Sequence, residues 1–129
     1  MPSSSGYAKV NGLEMYYEVH GAGHEESRPL VLLHGGALTV DLTFAGVLPE
    51  LAADRRVVAP ELQGHGRTAD TARDLTVANL ASDVVALLDE LGVRQADFLG
   101  FSLGGLTALE IAVRHPERVG RLALASAMY

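Results

Sequence analysis

The chain of 129 residues contains no cysteine, and Lys9 is its only lysine. Without cysteine there is no disulfide, no thiolate zinc site and no thiol nucleophile. Basic residues are in deficit too: ten Lys and Arg face sixteen Asp and Glu, a net charge of −6. The nine arginines are scattered along the sequence, which argues against nucleic acid or an anionic membrane as partner, since phosphate backbones reward clustered cations. No apolar run is long enough to span a bilayer. The polar start, Met1 to Gly6, lacks the basic and apolar segments of a secretory leader, so a cytoplasmic location is expected. His24-Glu25-Glu26 is not a zinc helix motif, because Arg28 stands where the second histidine would be. No Gly-Lys-Ser/Thr phosphate loop, internal repeat or low-complexity tract is present.

What the chain does have is apolar sequence in short pieces. Hydrophobic residues make up 48% and charged residues 20%, in runs punctuated by Gly and Pro, the pattern of a globular protein. A chain of this length buries roughly two-thirds of its unfolded surface. One unit over 1–129 is therefore expected, carrying part of a larger architecture as described below.

Tyr7 to Val10 and Leu13 to Val19 alternate about Asn11-Gly12, the dipeptide best suited to a tight hairpin turn. His20 to Arg28 is Gly-rich and charged and reads as a surface loop. Pro29 to Leu33 is continuously apolar, as in a strand buried on both faces, and ends in His34-Gly35-Gly36. Phe44 to Ala53 presents Phe44, Val47, Leu48 and Leu51 on one side, a short amphipathic helix. Arg56 to Pro60 is another buried strand, followed by a polar loop from Gln63 to Asp74. From Thr76 the apolar residues Val77, Leu80, Ala81, Val84, Leu87, Leu88 and Leu91 recur at helical spacing, and Gly92 marks the stop. Asp97 to Phe101 is a strand. The next helix has Leu103, Leu106, Leu109, Ala112 and Val113 as its apolar stripe and ends near Arg114-His115-Pro116. Leu122 to Ala125 closes the chain as a last strand.

A hairpin followed by alternating strands and helices predicts right-handed crossovers onto a mostly parallel sheet with helices on both faces, an α/β three-layer sandwich. Ligands of such sheets sit at the carboxyl ends of the strands. His34-Gly35-Gly36, Glu61 to Thr68, and Ser102 all fall at such ends and should converge on one crevice.

Gly100-Phe101-Ser102-Leu103-Gly104 lies between a strand and a helix. The pattern reads as a serine on a sharp, strained turn, with Gly100 and Gly104 spaced so that no side chain collides with the neighbouring elements. Ser102 would attack an electrophilic carbonyl. The oxyanion formed would be met by the N–H of Leu103 and by a second N–H from the turn after the Pro29 to His34 strand, at Gly36 or at Ala37.

Four stretches, LVLLHGGAL, RVVAPELQGHGRT, FLGFSLGG and RHPERVGRLALASA, occur in the order of the α/β-hydrolase fold family, and the chain resembles the N-terminal part of that fold up to its sixth strand. The resemblance implies that Ser102 is the nucleophile of a serine hydrolase acting on an ester or similar acyl substrate. It further implies that Leu103 and Gly36 supply the oxyanion N–H groups, and that His34, beside Gly35, props the oxyanion loop without acting as base. No metal or organic cofactor is implied. Glu61 and Thr68 depart from the aspartate and serine common at those positions.

The acid and histidine of the family follow the sixth strand, and nothing in this sequence replaces them. His115 lies at the far end of the helix that Ser102 opens, on the order of 20 Å away at the helical rise. Glu110 and Glu117 lie along and past that helix. His34 is the nearest substitute base, although backbone hydrogen bonding is its expected task; His65 sits in a mobile-looking loop, and His20 and His24 read as surface residues. The alternative to a hydrolase is a non-catalytic hydrolase-like module that binds a small ligand or self-associates through the exposed edge of the last strand. Gly64-His65-Gly66-Arg67-Thr68-Ala69 also matches a dinucleotide fingerprint loosely, but no apolar helix opens directly after it.

Overall fold

The structure, a computed structural model, describes residues 4–21 and 27–126. Six strands form one mixed sheet: β1 (Ser4–Val10), β2 (Leu13–His20), β3 (Leu30–Leu33), β4 (Val57–Pro60), β5 (Ala96–Phe101) and β6 (Val119–Ala125). They lie in the order β1-β2-β4-β3-β5-β6. The hairpin β1-β2 joins β4 antiparallel, and β4, β3, β5 and β6 run parallel to their neighbours. The expected α/β-hydrolase architecture, mostly parallel with an N-terminal hairpin, is thus present. The expected turn is present too: Val10 pairs with Leu13, and Asn11 and Gly12 both take positive φ, 50° and 84°.

The helices are α1 (Val40–Phe44), α2 (Leu48–Leu51), α3 (Val77–Glu90) and α4 (Leu103–Arg114). Alternation along β3 and β4 divides the core. Val31, Leu33 and Val58 pack with α3 and α4 on one face, whereas Leu30, Leu32, Val57 and Ala59 pack with Val40, Phe44 and Leu48 on the other. The sheet is therefore covered on both sides, which is why these short strands read as unbroken apolar runs. Thr76 caps α3 by accepting the Asn79 N–H, and Gly92, at φ 69°, follows its C-terminus. No helix among the described residues is long and apolar enough to cross a membrane.

Two helical expectations need correction. The single helix over Phe44 to Ala53 is two, α1 and α2, with Gly46 in the break and Pro49 in the first turn of α2. Proline cannot donate into a preceding turn, so the helix restarts rather than continues. In consequence Val47 is exposed instead of buried. In α4 the buried face consists of Gly104, Gly105, Thr107, Ala108 and Ile111, while Val113 is 71% exposed. Small residues, not the leucines, face the sheet, because α4 approaches so closely that a Cβ on Gly104 would collide with the Leu33 carbonyl. The last strand begins at Val119, earlier than Leu122, since a 3-10 turn at Pro116–Arg118 feeds straight into it.

Candidate active site

Ser102 sits between β5 and α4 with φ 54° and ψ −113°, a backbone region that costs an ordinary residue about 1–3 kcal/mol. The surrounding chain holds it there. Its N–H donates to Ala125 O in β6 at 2.9 Å, and its carbonyl accepts the Leu106 N–H at 3.1 Å. Side chains at Gly100 and Gly104 would strike the Gly104 carbonyl and the Leu33 carbonyl respectively, so both glycines are required by close approach of backbone to backbone. The Ser102 hydroxyl caps no helix N–H. As the first residue of α4, Leu103 has an N–H with no intrahelical acceptor.

The β3 loop folds against this turn. A Cβ on Gly35 would lie 2.9 Å from both Leu38 Cδ1 and Phe101 Cδ2, and one on Gly36 would lie 3.6 Å from the Leu103 side chain. The first spacing obliges the Leu38 or Phe101 side chain to shift for any larger residue; the second is ordinary contact, so sterics alone do not demand glycine at 36. The Leu38 N–H donates to Gly35 O at 3.2 Å, closing a turn in which Ala37, not a glycine, carries the positive φ of 60°.

His34 joins this loop to the one after β4. Its Nδ1–H donates to Gly35 O at 2.8 Å, and its Nε2 accepts the Leu62 N–H at 3.0 Å. Both nitrogens of the fully buried ring are engaged. Burial lowers its pKa below the ordinary histidine value, with the neighbouring His65 adding to the effect against the opposing influence of the Gly35 bond and Glu61. No lone pair remains with which to take a proton from Ser102.

The β4 loop is pinned rather than mobile. The His65 ring packs 4.9 Å from that of His34, and its Nδ1 bonds Gln63 O at 2.8 Å. Glu61, 1% exposed, accepts the Val40 N–H at 3.1 Å and the Arg67 N–H at 2.8 Å. Thr68 Oγ1 donates to Glu61 O at 2.7 Å and accepts the Tyr16 N–H at 2.9 Å. The three loops therefore meet as the topology requires. After Gly64 and Gly66, at φ 74° and 52°, no helix forms before Val77, which removes the dinucleotide reading.

His20 was expected on the surface and is instead buried. Tyr16, Glu18 and His20 share one face of β2 at alternate positions. The Tyr16 hydroxyl donates to Glu18 Oε2 at 2.7 Å and His20 Nε2–H donates to Glu18 Oε1 at 2.8 Å. Burial pushes Glu18 up, but these two bonds and the charges of His20 and Arg67 outweigh it and hold the carboxyl below its ordinary value. Ending β2 at Val19 hid this network; its signal was the period of two continued by one residue.

His115 lies just past α4 with Nδ1 3.7 Å from Glu117, and Glu110 pairs with Arg114. His24 lies outside the described residues. Among the described residues no histidine or carboxylate bonds the Ser102 hydroxyl, and no group of three or more His, Asp or Glu is placed to hold a metal.

Comparison with known proteins agrees with this geometry. The family model described as the alpha/beta hydrolase fold matches residues 28–129. A 2-hydroxymuconate semialdehyde hydrolase of Pseudomonas sp. (strain CF600) is 45% identical over 91% of this chain and 45% of its own length. A hydrolase from Pseudomonas aeruginosa PA01 superposes with a TM-score of 0.89 at 33% identity, over 97% of this chain and 46% of that one. The enol-lactonase from Burkholderia xenovorans LB400 superposes at 0.88 and 33% identity, over 94% of this chain and 46% of that one. The chain thus spans about half the length of these relatives. On sequence match and fold together, it belongs to the alpha/beta hydrolase fold family.

Proposed function

We propose that Ser102 is the nucleophile of a hydrolase that acts on an ester or similarly activated acyl compound through a covalent acyl-serine intermediate. The observation that carries this is the strained φ of 54° at Ser102, in a turn that the Gly35-Gly36 loop packs against. Strain of this kind persists only where the surroundings enforce it, and here it lifts the hydroxyl to the carboxyl end of the sheet.

In the proposed reaction Ser102 Oγ attacks the acyl carbonyl carbon and loses its proton to a histidine. The carbonyl oxygen becomes an oxyanion that accepts the N–H groups of Leu103 and Gly36. Collapse expels the leaving group, which takes up that proton, and water then releases the acyl group by the same route. Since His20, His34, His65 and His115, the histidines among the described residues, are each engaged elsewhere, the proposal assigns the histidine and its acid to residues outside 1–129. The names of the relatives, a semialdehyde hydrolase and an enol-lactonase, accord with attack on an activated carbonyl carbon.

The test is labelling with a fluorophosphonate probe of a chain extended past Tyr129 to include the proposed histidine and acid. Labelling abolished by Ser102→Ala supports the reading. Absence of labelling in the wild type, with the protein folded, would favour a hydrolase-like binding module instead.

A further inference from the structure

The sheet edge opposite Ser102 gathers arginines that the sequence keeps far apart. Strands β4, β3 and β5 are parallel neighbours, so their amino-terminal ends share one edge. Each is entered through an arginine: Arg56 directly precedes β4, while Arg28 and Arg94 stand shortly before β3 and β5. The ends are tied together, with the Leu30 N–H donating to Arg56 O at 2.9 Å and the Asp97 N–H to Pro29 O at 3.0 Å. Between them lies a cavity of about 260 Å³ lined by Arg28, Arg56 and Arg94 together with Ser27 and Gln95.

Among the described residues the charges there are not balanced. Arg28 pairs with Asp97 at 3.3 Å, but that carboxylate is shared with Arg55 at 3.0 Å. Among the described residues Arg56 and Arg94 have no carboxylate partner, and the Nε of Arg56, like that of Arg55, has no acceptor. A buried guanidinium N–H left unpaired is costly, and an ionised oxygen is the acceptor that best matches the guanidinium fork. In a chain of net charge −6, three arginines around one small cavity are an exception to the global balance.

We propose that this cavity is an anion site, separate from the Ser102 crevice, which takes the oxyanion of a phosphate or carboxylate group through Arg28, Arg56 and Arg94. The three guanidinium groups supply the N–H donors, with Arg94 on the exposed turn after α3.

The experiment is a thermal-melting titration of the full chain with inorganic phosphate and, separately, succinate, at ionic strength held constant with sodium chloride. A saturable rise in melting temperature with either anion is expected, and the tighter of the two identifies the ligand group. Arg94→Gln, an exposed substitution that leaves the fold intact, should weaken the half-saturation point by about tenfold or more. Arg56→Lys keeps the charge but not the fork and should weaken it as well. Arg114→Gln, at the end of α4, should not change it. Fluorophosphonate labelling of Ser102 should be the same in all three variants. The proposal is overturned if neither anion shifts melting beyond the chloride control, or if Arg94→Gln and Arg56→Lys bind as the wild type does.

Discussion

His34 Nε2 accepts the backbone N–H of Leu62 at 3.0 Å, a bond that fixes the ring in its Nδ1–H tautomer and locks the β3 loop to the β4 loop. Protonation would place a second hydrogen against the Leu62 N–H. Burial of the ring, with His65 beside it, holds the folded pKa below the ordinary 6.5. When the folded value is depressed, the unfolded chain takes up the proton first, so stability is full above about 6.5 and falls as pH drops toward the folded value. Urea melts from pH 7.5 to 5 should show that decline. His34→Ala should lower stability by about 2–4 kcal/mol at pH 7, by leaving Gly35 O and Leu62 N–H unpaired, and should flatten the slope below pH 6.5.

Gly104 at the serine turn leaves no room for a side chain, whereas Gly46 does. Gly104→Ala drives a methyl into the Leu33 carbonyl and should cost about 3 kcal/mol or more. Gly46→Ala meets nothing within 4 Å and should be neutral or stabilising by up to about 1 kcal/mol. Chemical denaturation of the two variants side by side checks the contrast.

Asp83, fully buried on α3, accepts Arg73 Nη1–H at 2.9 Å and Asn11 Nδ2–H at 3.0 Å. It thereby holds the loop after β4 and the β1-β2 turn to one helix. Arg73→Ala leaves that carboxylate buried without its cation and should destabilise by about 3–5 kcal/mol, whereas Arg114→Ala, which breaks the exposed pair with Glu110, should cost about 0.5 kcal/mol or less. Equal losses would contradict this division between buried and exposed pairs.

Tyr16 should ionise well above the ordinary value for a tyrosine. Burial, then its hydrogen bond to Glu18 and that residue's charge, raise its pKa to about 12, from 10.0. With the folded value above the unfolded one, the stabilisation is complete below pH 10 and lost as pH rises toward 12. Ultraviolet titration should show one phenol resisting ionisation to about pH 12, and Tyr16→Phe should remove that phase.

Features dictated by a few adjacent residues were legible in the sequence. The positive φ values at Asn11, Gly12, Gly92 and Ser102 follow from local steric demands that leave a local signature. Legible too was the strand order's consequence that the β3 loop meets both the β4 loop, through His34 and Leu62, and the turn at Ser102. Features that depend on how closely two elements approach were not legible. The leucines of α4 gave a periodic stripe, yet the helix turns its small residues inward because Gly104 lies on the Leu33 carbonyl. Tyr16, Glu18 and His20 were hidden by a strand end placed one residue early. Arg28, Arg56 and Arg94 looked scattered because only the sheet order brings them together.

The nucleophilic role of Ser102 is tested most directly by intact-mass and peptide mass spectrometry of a chain extended past Tyr129, quenched during turnover of an activated ester. The account predicts an acyl adduct confined to the peptide containing Ser102, with adduct and turnover both lost in Ser102→Ala. Turnover that survives Ser102→Ala, or an adduct on any other residue, would contradict it.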